Sequence, residues 1–128
     1  MKKLVFYKCE ICGNVAIKLV DSGVPMFCCG KVMSVIAPNS TDASSEKHKP
    51  VVSASGNQIK VTIGEVLHPM TAEHYISHII LETEKGVYIK NLLPTDQPTA
   101  SFFLEDGESA LFAYSVCNLH GVWMSEIE

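Results

Sequence analysis

The sequence predicts an all-β protein in two unequal parts, and three observations predict it. Short apolar runs alternate with glycine-bearing turns along the chain. Four of the five cysteines lie at or before Cys29. Between Ala37 and Glu46 the composition shifts to Pro, Asn, Ser, Thr, Asp and Ala, the character of a linker. The expected organisation is therefore a small cysteine-bearing metal knuckle over 1–36, a linker over 37–46, and a larger β domain over 47–128.

In the first part the apolar runs are Leu4–Tyr7, Val15–Val20 and Val32–Ile36, punctuated at Gly13-Asn14, Asp21-Ser22-Gly23 and Cys29-Gly30. So short a segment cannot bury much core, and below about 40 residues a fold usually needs a metal, disulfides or a partner subunit. In the second part Ile59, Val61 and Ile63 alternate with Lys60 and Thr62, and Val87 and Ile89 alternate with Tyr88 and Lys90. That is the period of half-buried strands. Turns are expected at Gly56-Asn57, Lys85-Gly86 and Asp106-Gly107, with further strands near Val51–Ser55, Tyr75–Thr83, Ala100–Leu104, Ser109–Val116 and Val122–Glu126. Leu93–Pro98 carries two prolines and reads as an irregular loop. About seven short strands of this kind are the signature of an immunoglobulin-like sandwich.

Composition excludes several classes. With 47% hydrophobic and 19% charged residues the chain is globular, and no apolar run approaches the roughly 20 residues of a spanning helix. The apolar stretch after Met1-Lys2-Lys3 is broken at Lys8, which argues against a signal peptide. Closely paired cysteines, odd in number, without a secretion signal favour reduced thiolates on metal in a reducing cytoplasm over a disulfide framework. The Asn39-Ser40-Thr41 sequon is then chance. A net charge of −4 gives no basic stripe for nucleic acid, so an anionic substrate has to be attracted locally.

The chemistry is concentrated in two constellations. In Cys9-Glu10-Ile11-Cys12-Gly13, two cysteines separated by two residues can place both sulfurs on one ion, with Gly13 letting backbone amides approach them. This half resembles a rubredoxin or zinc-ribbon knuckle. Cys28-Cys29-Gly30 is less usual, because adjacent residues of an extended chain point to opposite sides. Both can reach one ion only in a bent, strained turn. The spacing alone leaves iron and zinc open, since tetrahedral sulfur sites take both. The second constellation is His48, His68, His74, Cys117 and His120, which is four of the five histidines and the last cysteine. One histidine on a strand is usually a packed residue; five donors at the ends of predicted strands can converge at one end of a sandwich. Four neutral imidazoles suit a borderline ion such as Fe(II), and the thiolate makes five ligands with one position left open. His78 lies four residues after His74 without the Glu of a His-Glu-x-x-His motif, and is expected to be packed or half-exposed.

Taken together and in order, Cys9-x-x-Cys12-Gly13, Cys28-Cys29, Glu46-Lys47-His48-x-Pro50, His68-Pro69-x-x-x-x-His74 and Cys117-Asn118-x-His120-Gly121 resemble the desulfoferrodoxins, the two-iron form of superoxide reductase. The resemblance implies a desulforedoxin-like first domain and an immunoglobulin-like catalytic domain. It implies Fe(III) on Cys9, Cys12, Cys28 and Cys29. It further implies an iron cycling between Fe(II) and Fe(III), with His48, His68, His74 and His120 equatorial and Cys117 axial. The implied reaction is one-electron reduction of superoxide to hydrogen peroxide, with rubredoxin or a similar protein as electron donor, in a homodimer of an anaerobic or microaerophilic cell. Lys47, beside His48, is expected to attract superoxide against the net charge. Glu46 is the expected sixth ligand of the oxidised, harder ion. Rival readings are a zinc-knuckle binding module, a superoxide dismutase and an electron carrier using the four-cysteine centre alone.

Overall fold

The computed structural model describes residues 3–39 and 45–127. The chain divides into two compact units, one of Lys3–Ala37 and one from Pro38 onward.

In the small unit β1 (Phe6–Lys8) is the centre of a three-stranded antiparallel sheet, between β2 (Val15–Ala16) and β5 (Ser34–Ile36). β3 (Phe27–Cys28) and β4 (Lys31–Val32) form a separate hairpin. Its buried apolar side chains are Phe6, Cys9 and Met33, while Leu19 and Val20 are 86% and 85% exposed. So thin a core cannot offset the entropy of ordering the chain by itself, which leaves much of the work to whatever ties the cysteines together.

The larger unit opens with a single helical turn, α1 (Ser45–His48), closed by the Lys49 N–H donating to the Ser45 carbonyl at 3.0 Å. Seven strands follow: β6 (Pro50–Ser55), β7 (Gln58–Ile63), β8 (Ile76–Thr83), β9 (Val87–Asn91), β10 (Thr99–Phe103), β11 (Ala110–Cys117) and β12 (Gly121–Glu126). They form two antiparallel sheets, ordered β10-β7-β6 and β12-β11-β8-β9. This is an immunoglobulin-like sandwich in which the fourth strand joins the larger sheet, where constant-type domains place it in the other. Each expected strand is present within a residue or so of its expected ends. The expected linker is tied down at one point, because Asn39 exchanges backbone and side-chain hydrogen bonds with Val122 and Met124 of β12. Its residues 40–44 lie outside those described.

The core lies between the sheets. Ile59, Val61 and Ile63 of β7 and Phe102 of β10 meet Ile76, Ile79 and Leu81 of β8 and Ala113 of β11. β7 alternates in burial as its sequence does, whereas β8 is buried along nearly its whole length because it lies inside the larger sheet. One strand runs opposite to the simple reading of its apolar residues. On β9, at the sheet edge, Val87 and Ile89 face solvent and Tyr88 faces inward. Tyr88 wins that side because its ring meets Phe102 edge-on at 6.2 Å and its hydroxyl donates to the Glu108 carboxylate at 2.8 Å.

Register sets where the strand ends fall. Pro50 at the start of β6 pairs with Ile63 at the end of β7. Cys117 at the end of β11 pairs with Gly121 at the start of β12 and Ile76 at the start of β8. All five termini therefore meet at one end of the sandwich. A register shift between Val116 and Cys117 against β8 re-aims Cys117 at that end, as bulges beside functional sites commonly do.

Leu81→Ala, in the fully buried centre of β8, is expected to cost about 2–5 kcal/mol of unfolding free energy. Urea denaturation checks this; a loss under about 1 kcal/mol would show that the core collapses around the deleted atoms.

Candidate metal centres

The sulfur centre rests on two turns. In the first, Gly13 N–H donates to the Cys9 carbonyl and Cys9 N–H to the Asn14 carbonyl, both at 2.9 Å, while Cys12 N–H points at Cys9 Sγ at 3.5 Å. Gly13 takes φ 84° to close it. The second is the β3–β4 hairpin, whose two loop residues both have positive φ, 53° at Cys29 and 74° at Gly30, as the tight type I′ hairpin requires. A non-glycine residue in that region is strained, and the strain brings the Cys29 sulfur to the same side as Cys28. The ligand atoms of Cys9, Cys12, Cys28 and Cys29 all lie within 4.8 Å of one another, with no disulfide among them. Cys12 Sγ and Cys28 Sγ are 3.6 Å apart, close to the roughly 3.8 Å that a tetrahedral ion with bonds of about 2.3 Å demands. Electrostatics agree: Cys9 is lowered to about 6 by the backbone amides of Cys12 and Ile11, whereas Cys29 is pushed up to about 12 by the neighbouring Cys12, Cys9 and Cys28 sulfurs. Four thiolates cannot share this space without a cation.

The imidazole centre lies at the end of the sandwich where the strand termini meet. His48 comes from α1, His68 and His74 from the connection between β7 and β8, and Cys117 and His120 flank the β11–β12 turn. The four rings form a closed square. Neighbouring centroids are 4.6 Å (His48–His68), 4.5 Å (His68–His74), 5.0 Å (His74–His120) and 5.0 Å (His120–His48), each pair nearly perpendicular at 81–83°. Across the square His48 and His74 are 6.0 Å apart at 29°. Such a pinwheel aims ring edges at a common centre. Cys117 Sγ lies 3.6 Å from His68 Nε2 and 3.8 Å from His120 Nδ1. The donor atoms of His48, His74, Cys117 and His120 lie within 4.8 Å of one another; His68 is set slightly outside that group.

The residues present fit a metal ion. His74 Nε2 is shielded from solvent and has no hydrogen-bond partner among the described residues, an arrangement that is costly unless something else accepts its lone pair. His68 Nδ1 lies 2.7 Å from the Pro69 carbonyl, which makes Nδ1 the protonated nitrogen and leaves the Nε2 lone pair facing Cys117. Burial lowers His68 to about 4, and burial also lowers His74, so both rings are neutral donors at ordinary pH. Burial pushes the Cys117 thiol up, a tendency that a cation reverses.

Other side chains fix the donors. Ser115 Oγ donates to the His48 carbonyl at 2.9 Å. Trp123, the one tryptophan of the chain, is buried with its ring 5.0 Å from that of His48, and its Nε1–H donates to the His120 carbonyl at 3.0 Å. Neither was singled out from sequence; the only available signal was a lone Trp three residues after His120. Glu46 and Lys47 are exposed on the turn whose third side chain, His48, is buried, because successive helical residues point about 100° apart. Behind burial and His120, the Lys47 charge is a further cause lowering His74. His78 is half-buried against Ser77 Oγ at 2.9 Å, as expected.

One centre made only of sulfur and another made chiefly of imidazole define the class, a two-centre metal-binding β protein. The family model described as desulfoferrodoxin matches residues 40–126. A desulfoferrodoxin from Syntrophotalea carbinolica is 42% identical, over 98% of both chains. A superoxide reductase from Pyrococcus horikoshii is 33% identical over 70% of this chain and 92% of its own. The crystal structure of the superoxide reductase from Treponema pallidum superposes with a TM-score of 0.81 at 36% identity, covering 98% of this chain and all of that one. The chain belongs to the desulfoferrodoxin family.

α1 is held from below by the turn after β7. Gly64 N–H donates to the Lys49 carbonyl at 3.1 Å and Glu65 N–H to the Glu46 carbonyl at 2.8 Å. A Cβ on Gly64 would run into the Val66 carbonyl oxygen and meet the Lys47 carbonyl oxygen at 2.7 Å, at φ +91°. Gly64→Ala is expected to displace α1 and weaken metal retention at the imidazole centre. Gly107→Ala, at φ +82° in open space, carries only the conformational cost of roughly 1–2 kcal/mol. Chelator-challenge rates for the two variants compare them directly, and equal rates would refute the clamping of α1.

Proposed function

We propose that the protein is a superoxide reductase that converts superoxide to hydrogen peroxide at an iron held by His48, His68, His74, His120 and Cys117. The convergence of these four imidazoles and one thiolate at one end of the sandwich is the observation that carries the reading. In this reading Cys9, Cys12, Cys28 and Cys29 hold a second iron, as Fe(III). The domains run 1–36 and 47–128, with 37–46 as linker. Bound at the imidazole centre, iron alternating between Fe(II) and Fe(III) supplies the one electron that, with two protons, turns superoxide into peroxide.

The chain's own residues do the rest. Lys47 places an ammonium on the same turn as His48, so a local positive field gathers an anion that the net charge of −4 would repel. Glu46, adjacent on that turn, offers a carboxylate suited to the harder oxidised ion. Trp123 and the Pro69 carbonyl hold the rings from behind, so the donors need little reorganisation when charge at the centre changes.

Rubredoxin or a similar one-electron carrier is the proposed donor. A second copy of the chain is the proposed partner; the exposed Leu19, Val20, Phe27 and Val35 of the small unit support it, since a monomer gains nothing by leaving them in water. Five free thiols support a reducing cytoplasm, in an anaerobic or microaerophilic cell. No helix among the described residues is long and apolar enough to cross a membrane.

A pulse of superoxide given to the anaerobically reduced protein is expected to yield one peroxide and one oxidised iron per superoxide, with no oxygen. Half a peroxide with oxygen evolved would instead mean dismutation. Lys47→Ala should lower the second-order rate constant about ten-fold or more and flatten its dependence on ionic strength; an unchanged constant removes the steering role. Glu46→Ala should leave that encounter nearly intact and alter the visible spectrum of the oxidised imidazole centre, and an identical spectrum at the same pH would rule out carboxylate ligation.

A further inference from the structure

We infer that Asn118 is a positioning residue for His74, clamping the segment that carries this ligand onto the strand end that carries Cys117. The inference rests on the reading of His74 as a ligand. Asn118 makes three hydrogen bonds to the two residues flanking His74. Its Oδ1 accepts the Tyr75 N–H at 2.8 Å, its Nδ2 donates to the Glu73 carbonyl at 2.9 Å, and its backbone N–H donates to the Tyr75 carbonyl at 3.1 Å. A donor on one side and an acceptor on the other fix the orientation of the amide and require an amide at this position.

The constraint is needed because His74 stands outside regular structure. β8 begins at Ile76, and His74 itself is held in its loop by Thr71, whose backbone and hydroxyl bond the His74 backbone. Thr71 closes the loop on itself, which shapes it but does not say where it sits relative to Cys117. Asn118 alone among these contacts spans from the loop to the β11–β12 turn. It follows Cys117 directly and precedes His120 by two residues. One side chain therefore ties together the segments that supply three of the five donors. The edge of the imidazole square between His74 and His120, 5.0 Å long, is the one this bridge spans. His74 Nε2, with no partner of its own among the described residues, has nothing at its tip to hold the ring in place before an ion arrives, so the backbone on either side has to do so.

The experiment uses the full-length, metal-loaded protein. Asn118→Ala should release metal from the imidazole centre to a competing chelator about 10–100-fold more readily, the usual effect of losing a partner that orients a ligand. The four-cysteine centre of the same molecules is the internal reference and should be unaffected. Asn118→Asp keeps an acceptor for the Tyr75 N–H but loses the donor to the Glu73 carbonyl, so it should fall between the parent and the Ala variant. A parent-like release rate in Asn118→Ala overturns the inference, and so does equal loss from both centres, which would mark a general loss of structure. A second measurement needs no variant: in the metal-free parent, the Tyr75 amide should exchange with deuterium as slowly as amides at the edge of β8. Fast exchange there would show that the clamp does not exist before metal binds, and would overturn the inference even if Asn118→Ala does not fold. His74→Ala separates the two readings, because unchanged metal retention in that variant would strike down the ligand assignment and not the clamp.

Discussion

The larger unit depends on the pairing register of its strands where they end. A β-strand delivers side chains to alternate faces, so a slip of one residue between β11 and β12 would turn Cys117 from the site to the opposite face. The register is fixed by the apolar residues of the core: Val61, Ile63, Ile79, Leu81 and Ala113 must all face the interior at once. The hydrophobic core therefore aims the donors, although none of its purely aliphatic members touches the ion they would hold. The bulge at Val116–Cys117 breaks the regular ladder where a donor needs a direction that strict alternation would not supply.

The same logic explains why the imidazoles need so many secondary contacts. Each of the four stands in the helical turn α1, in a connection or next to a strand end, where the ladder does not constrain the chain. The Ser115 hydroxyl on the His48 carbonyl, the Pro69 carbonyl on His68, the Trp123 indole on the His120 carbonyl and the Thr71 turn around His74 replace it one donor at a time. Neutral rings packed this closely repel if charged, and burial lowers the proton affinity of His68 and His74 in the direction that keeps the lone pairs free.

Much of this was legible in the sequence, and the reasons are local. The strands of the sandwich follow from period-two alternation and from glycine-bearing turns, both properties of neighbouring residues. The donors follow from residue chemistry, because so few histidines and cysteines have anything else to do. The direction of β9 was not legible: Val87 and Ile89 look like its inner face, and only a partner distant in sequence, Glu108, explains why Tyr88 takes that place. Trp123, Ser115 and Gly64 escaped notice for a related cause. Their importance lies in what touches them, and a glycine needed because a carbonyl passes within 2.7 Å of its missing Cβ looks like any other glycine until the chain is folded.

The two centres stand in opposite relations to folding. The small unit has a core of little more than Phe6, Cys9 and Met33, and its second cysteine pair sits on a turn strained at Cys29. Metal binding there has to supply stability that the chain lacks, so binding and ordering are one process. The sandwich has a full core of its own, and its imidazoles stand with their edges inward at the end that this core places. There the protein holds the geometry and the ion adapts to it. A centre that must change charge repeatedly benefits from the second arrangement, because donors fixed by the fold do not have to be reorganised at each change. The strained sulfur turn serves the first, since a tetrahedron of thiolates binds tightly enough to hold an unfavourable backbone in place.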